Sequence, residues 1–171
     1  MKLTTWNVNS INARIDHLIK FIKTDQSDIY LLQELKCIEE NFPIQEIEKF
    51  GYKSYINGQK AWNGVAFLSK KPLNILNNNI PTFKEDDNAR FLEAEIILEK
   101  LNKKIRLINI YLPNGNPIET SKFDYKIEWM KKFNKYILDL YEKNIPIIIG
   151  GDFNVIPNDE DVYSPENFKN D

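Results

Sequence analysis

The run Ile145-Pro146-Ile147-Ile148-Ile149, closed by Gly150-Gly151, constrains the fold of this chain more than any other feature. It has the length of a strand, and it is apolar throughout rather than alternating. That pattern predicts a strand buried on both faces. Such a strand needs packed layers around it. One is foreshadowed just upstream, where Phe123, Ile127, Met130, Phe133, Ile137, Leu140 and Tyr141 fall on one helical stripe between Lys122 and Lys143.

The rest of the chain repeats the alternation of short apolar runs with amphipathic stretches. Strands are expected at Lys2 to Val8, Asp28 to Gln33, Tyr52 to Asn57, Gly64 to Ser69, Leu73 to Leu76, Phe91 to Leu98 and Lys104 to Leu112. The last two form a pair around a turn near Leu101-Asn102. Helices are expected at Asn12 to Lys23 and Pro43 to Phe50, the second ended by Gly51. Interleaved strands and helices mean a layered α/β architecture. After Gly151 the sequence turns polar, and no further strand or helix is expected. With 171 residues, no repeat and no linker, the chain reads as a single domain over 1–171.

Composition excludes little. A net charge of -2 leaves no global basic field to announce nucleic acid, though a local basic rim around an acidic site remains compatible with it. Cys37 is the only cysteine, so no intrachain disulfide forms and a reducing compartment fits. The first residues lack an apolar signal core, and no run approaches a membrane span. A cytoplasmic protein with no membrane partner is the expectation.

Chemistry collects at the ends of the apolar runs. The first runs into Asn7, the second into Glu34, the seventh into Tyr111, and the last into Asp152 and Asn154. In open α/β sheets, sites form where side chains leave the strand ends and face a crevice. Two carboxylates, two amides and a phenol make a poor core but a sensible site for Mg²⁺ and phosphate, because Mg²⁺ takes hard oxygen ligands. Zinc is disfavoured, since the only His and Cys, His17 and Cys37, lie apart.

These residues sit in a longer series. Thr5-Trp6-Asn7-Val8-Asn9-Ser10 followed by Arg14, Leu32-Gln33-Glu34-Leu35-Lys36, the stretch from Gly58 to Ala66, Ala89-Arg90, Tyr111-Leu112-Pro113-Asn114-Gly115 and Gly151-Asp152-Phe153-Asn154 come in order along the chain. Together they resemble the exonuclease III / apurinic endonuclease family of the endonuclease/exonuclease/phosphatase superfamily, from Met1 to about Pro165. The resemblance implies a four-layer α/β sandwich of two β-sheets flanked by helices. It also implies a Mg²⁺-dependent DNA-repair phosphodiesterase (Mn²⁺ as alternative) that hydrolyses duplex DNA at abasic sites and 3′ ends.

By that resemblance Glu34 is the principal metal carboxylate, with Asn7 beside it and Asp152 and Asn154 completing the set. Asp152 orients or deprotonates the attacking water, Asn154 stabilises charge on the phosphoryl group, and Tyr111 contacts the scissile phosphate. Arg90, Asn114, Lys122 and Lys126 are the expected DNA contacts, with Lys60 and Trp62 adding to the rim. Trp6 and Trp129 are expected in the core, and His17 is an ordinary helix residue.

The family's later motifs, a second catalytic Asp region and a final Ser-Asp-His type motif, have no counterpart in these residues. The expectation is therefore an N-terminal portion whose second sheet is missing strands. Two alternatives stay open. One is a catalytically incomplete fragment or DNA-binding remnant, completed by a C-terminal fragment. The other is a phosphatase or phosphodiesterase of the same fold.

Overall fold

The computed structural model describes residues 1–98 and 102–168. Among the described residues, eight strands and three helices follow in the order β1 (Leu3–Asn7), α1 (Ile11–Asp25), β2 (Ile29–Gln33), α2 (Ile44–Glu48), β3 (Lys53–Asn57), β4 (Val65–Ser69), β5 (Asn74–Asn77), β6 (Phe91–Leu98), β7 (Lys103–Tyr111), α3 (Ser121–Glu142) and β8 (Ile147–Asp152). Short 3-10 turns lie at Glu39–Asn41, Asp159–Asp161 and Pro165–Phe168. Of the turn expected near Leu101-Asn102, Leu101 lies outside the described residues.

The strands form two four-stranded sheets, ordered β1-β2-β4-β3 and β5-β6-β7-β8. Alternation along β2 explains why it is buried throughout. Ile29 and Leu31 face the second sheet, together with Val65 and Phe67, and meet Leu92, Ala94, Ile96 and Leu107. Tyr30 and Leu32 face the other way and pack with Leu18, Ile22 and Ile47 of α1 and α2. On the far side Phe91, Ile108 and Ile110 pack with Trp129, Tyr136 and Leu140 of α3. The result is the expected four-layer sandwich, helix–sheet–sheet–helix, with three apolar interfaces.

Three details differ from the sequence reading. β8 starts at Ile147 rather than Ile145 and runs on through the glycines to Asp152, and it is half-buried rather than buried on both faces. It pairs only with β7, so one edge has no neighbour among the described residues. The buried stripe of α3 is Trp129, Tyr136 and Leu140, with Tyr125, Phe133 and Ile137 partly buried against the same core. Met130 and Tyr141 point outward. A spacing of three and four residues also passes through 129, 133, 136 and 140, and the bulkier rings on that line took the core. The polar segment after Gly151 holds two 3-10 turns.

Candidate active site

Two parallel strand pairs, one from each sheet, end at the same edge of the sandwich. In the first pair Asn7 of β1 lies opposite Gln33 of β2. In the second Tyr111 of β7 lies opposite Asp152 of β8. β1 packs against β8 across the sheet interface, so the carboxyl ends of both pairs face one crevice. The turn into that crevice depends on Gly151. Its φ of 148° suits glycine, and a Cβ there would strike the carbonyl oxygen of Ile110.

Asn7 holds the centre together. Its Nδ2 donates to Glu34 Oε1 at 2.8 Å and to Asp152 Oδ2 at 2.7 Å, while its Oδ1 accepts the Asn9 amide at 3.0 Å. One neutral amide thus spaces two carboxylates that would otherwise repel. The Tyr111 hydroxyl donates to the same Glu34 oxygen at 2.8 Å, and Lys36 Nζ pairs with Glu34 Oε2 at 2.9 Å. Asp152 Oδ1 accepts the backbone amide of Asn154 at 3.0 Å.

Electrostatics follow from these contacts. Burial pushes the Glu34 carboxyl up, but hydrogen bonds from Asn7, Lys36 and Tyr111 outweigh it and hold Glu34 below the usual range. Burial, together with the bond to Glu34, pushes Tyr111 up to about 12, so its phenol stays a proton donor at neutral pH. Arg90 opposes that rise, with its guanidinium 4.8 Å from the centre of the Tyr111 ring.

A buried polar tie beneath the centre locks the two sheets in register. Gln33 Nε2 donates to Asn109 Oδ1 at 2.8 Å, and Asn109 Nδ2 donates to the carbonyls of Leu32 and Ala66 at 3.0 and 2.9 Å. Both side chains are fully buried, and such groups are costly unless paired. Gln33 precedes Glu34, and Asn109 lies two residues before Tyr111, so the tie fixes the strand ends that carry the site.

The remaining candidates are distributed as follows. The Asn154 side chain turns to the Leu112 carbonyl at 2.8 Å. Arg90 donates to the Tyr111 carbonyl at 3.2 Å. Lys126 Nζ donates to the carbonyls of Asn114 and Asn154 at 3.0 and 2.8 Å, and burial lowers its pKa. Asn114 Oδ1 accepts the Asn116 amide. Lys122 and Lys60 are exposed. His17 is exposed on α1. Trp129 is core, and Trp6 is half-buried against Phe21. Trp6, Asn7, Asn114, Lys126, Asp152 and Asn154 line part of a cleft of about 830 Å³ beside β8.

Sequence reasoning gave no role to Lys36 or Asn109. Each left a trace: Lys36 lies two residues beyond Glu34, and Asn109 interrupts the apolar run Leu107 to Ile110.

Among the described residues no three His, Cys, Asp or Glu side chains converge as a metal cage. The donor set suits a cation that needs few protein ligands. Glu34 and Asp152 present carboxylate oxygens around one amide, and Mg²⁺ is held by one or two carboxylates with waters filling the rest. The ammonium of Lys36 on Glu34 Oε2 shows that this oxygen already serves a cation.

A sequence profile of the "Endonuclease/Exonuclease/phosphatase family" matches residues 4–171. Exodeoxyribonuclease III of Haemophilus influenzae is 34% identical over 95% of this chain and 60% of its own length. The DNA repair nuclease APEX1 of Danio rerio is 29% identical over 97% of this chain and 53% of its own. Among solved structures, the 3′-5′ exonuclease NExo from Neisseria meningitidis superposes with a TM-score of 0.87 at 32% identity, over 99% of this chain and 64% of that one. An AP endonuclease from Archaeoglobus fulgidus gives 0.85 at 31%, over 99% and 63%. The chain thus spans 53% to 64% of the length of these relatives. The family match, the four-layer sandwich and the strand-end constellation agree: this chain is a member of the endonuclease/exonuclease/phosphatase family.

Proposed function

We propose that this chain carries the centre of a Mg²⁺-dependent DNA-repair phosphodiesterase, with Mn²⁺ as the alternative metal. It hydrolyses the backbone of duplex DNA at abasic sites and 3′ ends, as a single domain acting in the cytoplasm. The observation that carries this reading is the Asn7 amide bonded to both Glu34 and Asp152, at the joint carboxyl ends of two parallel strand pairs. Similarity to an exodeoxyribonuclease III, an AP endonuclease and a DNA repair nuclease supports DNA as the substrate.

Glu34 and Asp152 would hold the metal, with Asn7 and Asn154 beside them. The metal's contribution is to neutralise charge on the phosphate oxygens. Asp152 aligns the attacking water and accepts its proton. Asn7 keeps the two carboxylates in register without titrating. Tyr111, protonated at neutral pH, offers its hydroxyl to Glu34 or to a phosphate oxygen. Asn154 would supply a neutral donor for charge developing on phosphate oxygens, from an amide that bonds the Leu112 carbonyl at 2.8 Å. Asn114 and Lys126 line the cleft and Arg90 sits against the Tyr111 ring; with Lys122 from the first turn of α3 they would contact phosphates. Lys122 is exposed for that task, whereas Lys126 would first have to leave its two carbonyl acceptors.

The test is strand nicking of duplex DNA carrying one synthetic abasic site, with Mg²⁺, with chelator, and by Asp152→Asn. Metal-dependent nicking is expected, reduced roughly 10²- to 10⁴-fold in the variant. A second reading, a catalytically incomplete portion, is favoured by the share of its relatives that the chain spans. It predicts a folded chain that does not nick until a C-terminal fragment completes it. Turnover of phosphoinositides in preference to DNA would point to a phosphatase or phosphodiesterase instead.

A further inference from the structure

The chain has three tryptophans. Trp129 is fully buried and Trp6 half-buried, but Trp62 is 76% exposed. Three observations separate it from an ordinary surface residue. First, Ala61 and Trp62 take φ of 64° and 62°, so two successive non-glycine residues sit in the left-handed region.

Second, the loop is pinned in that shape from both sides. Buried Asn63 donates through Nδ2 to Gln59 Oε1 at 2.7 Å and to Asn88 Oδ1 at 3.1 Å. The Lys36 amide donates to the Asn63 carbonyl at 2.8 Å, and the Gly64 amide to the Ala89 carbonyl at 2.9 Å. Gly58 lies so close to the Cys37 carbonyl that a Cβ would come within 2.8 Å of it. The loop is therefore fixed to the segment that follows Glu34.

Third, Lys36 links the indole to the catalytic centre. Its Nζ lies 6.0 Å from the centre of the Trp62 ring and 2.9 Å from Glu34 Oε2. One lysine side chain thus spans the gap between a largely exposed indole and a candidate metal carboxylate. A ligand matched to this arrangement carries anionic oxygens for the centre and a flat apolar face for the indole. That is a nucleotide unit, and stacking of bases on aromatic side chains is sequence-tolerant.

We propose that Trp62 is a stacking platform that receives the face of an unstacked nucleobase beside the Glu34–Asp152 centre. The proposal rests on the DNA reading above and gives its preference a physical source. Bases inside a continuous duplex have both faces covered, so the platform favours DNA with an abasic site or an open end. The stacked face holds the broken helix while its phosphate sits over the carboxylates.

The test uses the full chain in chelator, so that no DNA is cut. DNA binding is followed by anisotropy of a labelled hairpin-closed duplex containing one abasic analogue, and compared with a sealed duplex without it. Exposure of Trp62 is followed by acrylamide quenching, with Trp62→Phe identifying its share of the signal. Saturation with abasic DNA is expected to reduce the Trp62 quenching constant about threefold or more, and sealed duplex to leave it unchanged. Trp62→Ala is expected to weaken abasic-DNA binding roughly 5- to 150-fold, the span of one base–aromatic stack, and Trp62→Phe by less than about threefold. DNA that binds while Trp62 stays open to acrylamide overturns the platform and leaves the DNA reading standing. Equal protection by sealed duplex overturns the preference for unstacked bases. Failure of every DNA to bind removes the DNA reading and the platform with it.

Discussion

Asn7 is the residue on which the centre turns, because a single Nδ2 serves Glu34 and Asp152 together. Asn7→Ala leaves two carboxylates facing each other with that donor gone. In chelator the variant is expected to lose about 1–3 kcal/mol of stability, the usual cost of stranding hydrogen-bonded charged partners. Added Mg²⁺ supplies positive charge to the same pair, so it should raise the melting temperature of Asn7→Ala more than that of the parent chain. Urea and thermal melts with and without Mg²⁺ check the two statements, and an unchanged melt in chelator would show that the amide holds nothing in place. The residue types at this centre were legible in the sequence as polar ends of apolar runs. Their orientations were not. Spacing cannot say that the Asn7 oxygen turns to the Asn9 amide, that Lys36 closes on Glu34, or that Arg90 bonds the Tyr111 carbonyl. Those outcomes depend on which donors and acceptors the folded strand ends and loops bring within reach.

Elements were legible where their burial pattern was simple. β2 and β4 are fully buried because each faces a helix layer on one side and the other sheet on the other. α3 was found at nearly its observed bounds, but only part of its stripe was: Phe133, Ile137 and Leu140 pack in the core, whereas Met130 and Tyr141 point outward and Trp129 and Tyr136 take their places. Its surface offers two adjacent apolar lines, and only the packed sheet chooses between them. The end of α1 shows a tie that no periodicity signals. Asp25 accepts from Lys2 Nζ at 2.6 Å, from Ser27 Oγ at 2.5 Å and from Thr4 Oγ1 at 3.2 Å, and so joins the helix to β1. The bonds from Lys2 and Ser27 hold its carboxyl well below the ordinary 3.8, against an opposing effect of burial. A lowered folded pKa means that the stabilisation is complete above the unfolded value and is lost as pH falls through the folded one. Asp25→Asn should therefore melt roughly 3 °C below the parent at pH 7, the shift that ~1 kcal/mol produces in a chain of this size. The gap should narrow as pH drops below 3.8. A gap that stays constant down to pH 2.5 or so would show that the charge on Asp25 contributes nothing.

At the scale of the whole molecule the two sheets differ in how they end. β5 closes one edge of the second sheet with a short strand and an irregular register at Ile75 and Asn77, and β3 closes an edge of the first with Lys53 at its start. Short, bulged or charged edges resist pairing with other chains. β8 carries none of these devices until Asp152. Its sequence Ile-Ile-Ile-Gly-Gly runs along an edge with no partner strand among the described residues, and it leads into Phe153, Val155 and Ile156, which are 45%, 49% and 43% exposed. The ladder allows a sharp test. In a parallel pair, a residue turned toward its neighbour points both its N–H and its C=O that way, and the next residue points both outward. The carbonyls of Pro146 and Asp152 accept from Arg106 and Leu112 of the β7 side, so the even-numbered residues of β8 face β7. The amides of Ile148 and Gly150 should then exchange slowly with solvent deuterium. Those of Ile147 and Ile149 should exchange at least about tenfold faster, because they lead only to water. The alternation is expected in dilute protein, and rising concentration should slow the odd-numbered amides if copies pair along this edge. Equal, deep protection of all four amides in dilute protein would mean that the outer face of β8 is already hydrogen-bonded, and that the second sheet continues past it.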